Sequence, residues 1–302
     1  MRLIFGCFLL LFPLLFSSCD YSGQKYLKPK PSFEKVKGIG YTEVRRSFNS
    51  GLAFSPAGFY LEPSWKMKFI LKDSVRLFNP LDNRSYNFHV HFDHDSVIYM
   101  ARVWMRVKKV SSDSLVFRIL SVKDRSITET GPNMTFYADK YIRNKLKTWP
   151  EILQMPAKKD SLFVKSRIRD LNQHADSIFL PQIPVRIESL DAKIQVKKKE
   201  NSVGSKKNIF ASEDPYQPEY SIVINKAYRD FNYSFLGIVD YKGNINFKSS
   251  TVYIMPEFQE TRLRTIKGII DVYLKPSLKV EAARTLGIQH NSMILINVKG
   301  IK

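Results

Sequence analysis

Trp65-Lys66-Met67-Lys68-Phe69 places apolar side chains two residues apart with lysines between them. Successive side chains of a strand point to opposite faces, so this stretch reads as a strand with one face buried and one face wet. A helix of the same residues would scatter them around its axis. The alternation returns at Val103-Trp104-Met105-Arg106-Val107 and again at Leu115, Phe117 and Ile119. From Gly51 onward the chain is therefore expected to build half-buried antiparallel strands.

The joints between those strands carry a short signal, Asp-Ser followed by an aliphatic residue. It occurs at Asp73-Ser74-Val75, Asp95-Ser96-Val97, Asp113-Ser114-Leu115, Asp160-Ser161-Leu162 and Asp176-Ser177-Ile178. Asp and Ser hydrogen-bond to nearby backbone in turns, and β-branched residues favour the strand that follows. The recurrence predicts turn-then-strand units in a β-meander, with spacing too irregular for a repeat array. One helix is expected in this half, from Asp139 to Leu153. Asp139 would cap it, Tyr141, Ile142, Leu146 and Trp149 would form its buried stripe, and Pro150 would break or kink it.

The last third changes texture. Phe231 to Asp240 and Ile245 to Ile254 flank Lys242-Gly243-Asn244 and predict a hairpin. Pro256 stands where a helix begins, and Leu263, Ile266, Ile269, Ile270, Tyr273 and Leu274 recur at helical spacing. Pro276 ends it, and strands are expected at Leu278 to Ala282 and Met293 to Val298. The fold class is thus α+β: an antiparallel β-meander, barrel or sandwich-like, followed by a small hairpin–helix–strand domain. The expected division is 1–18 signal peptide, 19–50 tether, 51–182 β-rich domain, 183–218 a strand and a basic linker, and 219–302 the C-terminal domain.

The first nineteen residues explain the tether. Arg2 precedes an apolar stretch from Leu3 to Phe16, then Ser17, Ser18 and Cys19. This order is a secretory signal, and 14 apolar positions fall short of the roughly 20 needed to span a bilayer. With cysteine at the cut it resembles the lipobox of bacterial lipoproteins, which implies diacylglycerol on the Cys19 thiol. The expected location is a cell membrane or outer membrane, facing the periplasm or the exterior. Cys7 is the only other cysteine in the chain, so no disulfide framework and no thiol nucleophile are expected in the mature protein. The formal charge of +20 is spread along the whole chain. It reads mainly as solvated strand faces, attracted to anionic lipid when the protein is held at a membrane. A nucleic-acid partner is not expected of an exported chain.

His89-Val90-His91-Phe92-Asp93-His94 matches the His-x-His-x-Asp-His pattern of the metallo-β-lactamase superfamily, with His174 and His290 downstream. The resemblance implies a zinc-dependent hydrolase whose metal activates water. Context favours another reading. Phe88, Val90 and Phe92 alternate with His89 and His91, so the histidines lie on one face of a strand, next to a recurrent turn. The expectation is no catalytic residue and no cofactor, with His89, His91, Asp93 and His94 kept as the alternative metal site.

The segment from Tyr228 to Val298 resembles the C-terminal domain of the energy transducer TonB. The matching landmarks are Gly237-Ile238-Val239-Asp240-Tyr241-Lys242-Gly243-Asn244-Ile245, the helix from Phe258 to Leu274, Lys275-Pro276-Ser277 and the last apolar strand. The resemblance implies a domain that binds envelope proteins by adding a strand at its sheet edge. The interaction strand is expected at Met293 to Val298, with Met293, Leu295 and Val298 as its contact residues. The Ser112-Asp113-Ser114-Leu115 texture also resembles that of uncharacterised lipoproteins from Bacteroidetes-type bacteria. Together these readings predict a non-enzymatic, lipid-anchored envelope protein that binds or scaffolds.

Overall fold

The computed structural model describes residues 30–80, 82–123, 126–174, 177–199 and 218–302. Cys19, the expected signal peptide and most of the expected basic linker lie outside the described residues.

The N-terminal half is a meander of short strands. These are β1 (Gly40–Ser47), β2 (Lys66–Leu71), β3 (Ser74–Asn79), β4 (Arg84–His89), β5 (His91–Phe92), β6 (Val97–Met100), β7 (Val103–Val110), β8 (Ser114–Ile119) and β11 (Asn133–Ala138). They hydrogen-bond in the order β4-β3-β2-β1-β11-β8-β7-β6-β5, all antiparallel. The two outer strands, β4 and β5, are separated in sequence by Val90 alone, so one bent segment joins both ends and the sheet nearly closes on itself. A two-strand flap, β9 (Ser121–Lys123) with β10 (Ser126–Thr128), interrupts the meander.

Alternation decides the packing. Met67, Phe69, Val75, Leu77, Met105, Leu115, Phe117, Met134 and Phe136 point inward and are buried. Phe33 enters from before β1, stacks on Phe69 at 4.0 Å between ring centroids, and fills the interior together with Val36. Each fully buried side chain of this size contributes roughly 1.5–3 kcal/mol.

The later residues of the expected tether instead belong to the folded body. Glu34–Val36 forms a 3₁₀ turn, and β1 is internal to the sheet, between β2 and β11. Tyr41, Thr42, Glu43 and Val44 are all buried, because a bulge between Glu43 and Arg45 breaks the two-residue alternation that would have flagged a strand.

Helices replace the expected strand at Asp160. α1 (Asp139–Asn144) and α2 (Pro150–Gln154) are two short helices with Pro150 opening the second, and α3 (Lys158–Asn172) follows. Asp139 does not cap α1; its Oδ1 accepts from the Thr42 hydroxyl at 2.8 Å. Ile142 is buried, but Leu146 and Trp149 of the expected stripe are exposed. Asp160 sits in the first turn of α3, where its carboxylate accepts from the Ala157 amide at 2.9 Å. That bond satisfies a helix-start donor and turns a strand signal into a helix signal.

The C-terminal half is a five-stranded sheet in the order β13-β14-β20-β15-β16: β13 (Ile194–Lys199), β14 (Glu219–Asn225), β15 (Phe231–Val239), β16 (Ile245–Ser250) and β20 (Ser292–Ile301). The hairpin β15–β16 turns at Gly243, whose φ of 90° suits glycine. α4 (Pro256–Ile269) runs on through a π turn (Ile270–Leu274) and a short α5 (Lys275–Ser277). Ile266, Ile269, Ile270 and Leu274 share one core with Ile294, Ile296 and Val298. β12 (Arg186–Ser189) pairs with β17 (Leu278–Glu281), and β13 pairs with β14. Residues 183–199, expected to hold a strand and the start of a basic linker, thus belong to this half. A small hairpin, β18 (Ala283–Thr285) with β19 (Ile288–His290), completes it.

Candidate functional site

The histidine motif falls at the seam of the nine-stranded sheet. His89 ends β4 and His91 opens β5, with Val90 buried between them. The two rings meet edge-on at 4.5 Å, and His94 Nδ1 lies 2.9 Å from Asp93 Oδ2. His89, His91, Asp93 and His94 are all exposed. His174 and His290 are elsewhere, around the junction of α3 and β19. Among the described residues, no three His, Cys, Asp or Glu side chains converge on a point where one metal ion would sit. The motif therefore brings together a histidine pair and a separate His–Asp pair on a strand edge.

His290 is instead part of a buried polar junction. Its Nδ1 donates to the Asn291 carbonyl at 3.0 Å, which leaves Nε2 to accept from the Thr285 hydroxyl at 2.9 Å. Burial pushes its pKa below the ordinary 6.5, and the bond to the Asn291 carbonyl opposes that shift only in part. Asn291 bolts the two halves together. Its side chain accepts from the Tyr241 amide and donates to the His174 carbonyl, and its own amide donates to Asn172.

Two buried carboxylates meet at β1, in the stretch the sequence assigned to a tether: Glu43 on the strand itself, and Asp160 of α3, held by Arg45. Glu43 accepts two bonds from Arg46, at 2.8 and 2.7 Å, and two from the amides of Ser64 and Trp65. Asp160 accepts two from Arg45 and one each from the amides of Ala53 and Ala157. Burial pulls the Asp160 pKa up, but Arg45 and the two amides together hold it below 3.8. Tyr60, beside them, is pushed up to about 12, first by burial and then by the charges of Glu62 and Asp160. Arg45, Arg46, Tyr60 and Gln154 line a shallow crevice. Each carboxylate there is saturated by a guanidinium and backbone amides, so this arrangement holds structure and offers no free acid or base. Its only sequence signal is the run Glu43-Val44-Arg45-Arg46 after Tyr41-Thr42.

The expected interaction strand is not an edge. β20 lies between β14, parallel to it, and β15, antiparallel to it. Val298 is fully buried, and Met293 and Leu295 sit on the half-exposed side of the strand. The apolar run that suggested a sticky edge is the mark of a strand paired on both sides. Among the described residues, the outer strands of this sheet are β13 and β16. β16 alternates exposed Asn246 and Lys248 with half-buried Ile245 and Phe247. Directly after it the chain exposes Val252, Tyr253, Met255 and Phe258, with Tyr253 at 87%. No family model matches this chain, and no curated protein matches it.

Proposed function

We propose that this protein is a lipid-anchored, non-enzymatic binding or scaffolding protein of the cell envelope, with its C-terminal sheet as the interaction module. The observation that carries the reading is the outer strand β16 followed by the exposed apolar group Val252, Tyr253, Met255 and Phe258. An outer strand offers backbone donors and acceptors, and neighbouring apolar side chains give an added strand something to bury. The hairpin–helix–strand order supports the proposed likeness to the TonB C-terminal domain, with the docking edge moved from β20 to β16. Anchoring is proposed through Cys19, which would place this edge against other envelope proteins.

Two measurements test it. Radiolabelled fatty acid should enter the wild-type chain and not Cys19→Ala; equal labelling sinks the anchor. A photo-crosslinking residue at Asn246 should give a discrete adduct with an envelope protein in living cells, and one at buried Val298 should not. No adduct from a folded Asn246 derivative removes the interaction role.

A further inference from the structure

A second apolar surface lies on the other half of the molecule, and its surroundings differ in charge. α2 is fastened to the sheet by one side: Gln154 Nε2 donates to the Glu43 carbonyl at 2.7 Å, and Tyr60 donates to the Gln154 carbonyl at 3.2 Å. Its other side carries Trp149, Ile152 and Met155, three residues apart and 66%, 54% and 60% exposed. Backbone bonds from Ile152 to Trp149 and from Met155 to Ile152 keep them in one row. Leu146, before the turn at Lys147, is 38% exposed as well. Monomeric proteins seldom leave such a cluster bare.

Along the sequence the charge flanking this row is one-sided, and Glu62 beside Tyr60 adds one acid from the loop after β1. Between positions 140 and 159 there are six cations, Lys140, Arg143, Lys145, Lys147, Lys158 and Lys159, all exposed, and one acid, Glu151. The apolar group after β16 is more evenly mixed: Lys248, Arg262 and Arg264 flank it together with Glu257 and Glu260. We propose that the face formed by α1, α2 and the start of α3 docks on an anionic lipid bilayer. Trp149, Ile152 and Met155 enter the headgroup–acyl boundary, and the cations meet lipid phosphates. Tryptophan favours that boundary, where its ring is half wet, and aliphatic neighbours add burial. Each cation near the surface adds an attraction that weakens with salt.

The covalent path agrees with this geometry, and this one argument rests on the proposed anchor. The described chain begins at Lys30, eleven residues after Cys19. Fully extended, such a stretch reaches at most about 40 Å. A lipid on Cys19 would thus hold the body close to the bilayer, within reach of a face built to touch it. Lipid docking gives the anchored body one preferred orientation.

The test uses the full chain carrying Cys19→Ala, so that no acyl anchor contributes and the N-terminal apolar stretch is the same in every sample. Tryptophan emission is followed with vesicles of phosphatidylglycerol and phosphatidylcholine whose acyl chains are brominated, and with brominated phosphatidylcholine alone. The expected result is a blue-shifted, quenched component on anionic vesicles that disappears in Trp149→Phe, which leaves only Trp65 and Trp104. Lys145→Ala and Lys147→Ala should each weaken partition about fivefold. Three outcomes overturn the proposal. Quenching that persists unchanged in Trp149→Phe assigns it to another ring. Equal quenching on neutral vesicles removes the role of charge. A blue shift that needs no vesicles and grows with protein concentration makes the face a contact between two copies. Fatty-acid labelling at Cys19 reads the anchor separately, so failure of one reading is distinguishable from failure of the other.

Discussion

Arg45 of β1 and Asp160 of α3 face each other as a two-bond pair, Nη1 to Oδ2 at 3.0 Å and Nη2 to Oδ1 at 3.2 Å. The carboxylate is fully shielded from solvent and the guanidinium largely so. This pair joins the nearly closed sheet to the helix that carries the chain toward the C-terminal half. Asp160 also accepts from the Ala53 amide, so one side chain holds β1, the loop after it and the start of α3.

Removing one partner should therefore cost far more than a surface ion pair. Asp160→Ala is expected to destabilise the fold by about 3–5 kcal/mol, because the Arg45 charge and two amides lose their acceptor together. Asp160→Leu combined with Arg45→Met should recover much of that loss. Thermal unfolding of the three chains decides the matter, and a shift for Asp160→Ala no larger than a surface change would refute it.

The same pair sets an acid limit. Asp160 titrates lower in the folded chain than its ordinary 3.8, so the unfolded chain takes up its proton first as pH falls. Its stabilisation is complete above about pH 4–5 and drains away as pH drops through the lowered folded value. Asp160→Asn should flatten the stability profile in that range and leave its slope near neutral pH unchanged.

His290 acts in a higher window with the same sign. Its folded pKa lies below 6.5, so the unfolded chain binds the proton more readily. Stability should be full above about pH 6.5 and fall as pH drops toward the folded value. His290→Gln removes the titrating group and should remove that part of the slope, measured by denaturant unfolding between pH 5 and 7.5.

β20 should tolerate little. Leu295 donates its amide to the Pro218 carbonyl at 3.0 Å, and the strand is paired on both sides. Leu295→Pro, and Val298→Asp with its buried charge, are expected to unfold the C-terminal sheet. Circular dichroism and limited proteolysis report it. A folded Leu295→Pro domain would mean that β20 is not the central strand.

The histidine pair should behave as a surface feature. His89→Ala with His91→Ala is expected to change stability by less than about 0.5 kcal/mol. Protein dialysed after purification should hold well under one equivalent of zinc. One equivalent retained and then lost in His91→Ala would revive the hydrolase.

Local pattern carried far in some stretches and failed in others for traceable reasons. The turn of the β15–β16 hairpin and the start of α4 at Pro256 stand where the Asp240–Gly243 signal and the proline place them, while β16 ends at Ser250, short of the expected Ile254. Those signals are short-range, since turn chemistry and side-chain period act within a few residues. β1 was hidden because its bulge buries Tyr41 through Val44 consecutively, which resembles neither a strand nor a helix. α3 was hidden because Asp-Ser is equally at home in a turn and in the first turn of a helix, and only Ala157 and Arg45 decide which.

The sequence by itself determined the β-rich α+β character and the inward face of each regular strand. These follow from side-chain periodicity, which the chain carries in its own order. Tertiary structure alone decided that β4 and β5 meet at Val90, that β20 is central, and that β12 and β13 join the C-terminal half. It also decided that Trp149 faces water. Those outcomes depend on which distant backbone completes each row of hydrogen bonds and on which side of α2 the sheet occupies. Strand order, edge and exposure are properties of partners far away in sequence, and no local pattern encodes them.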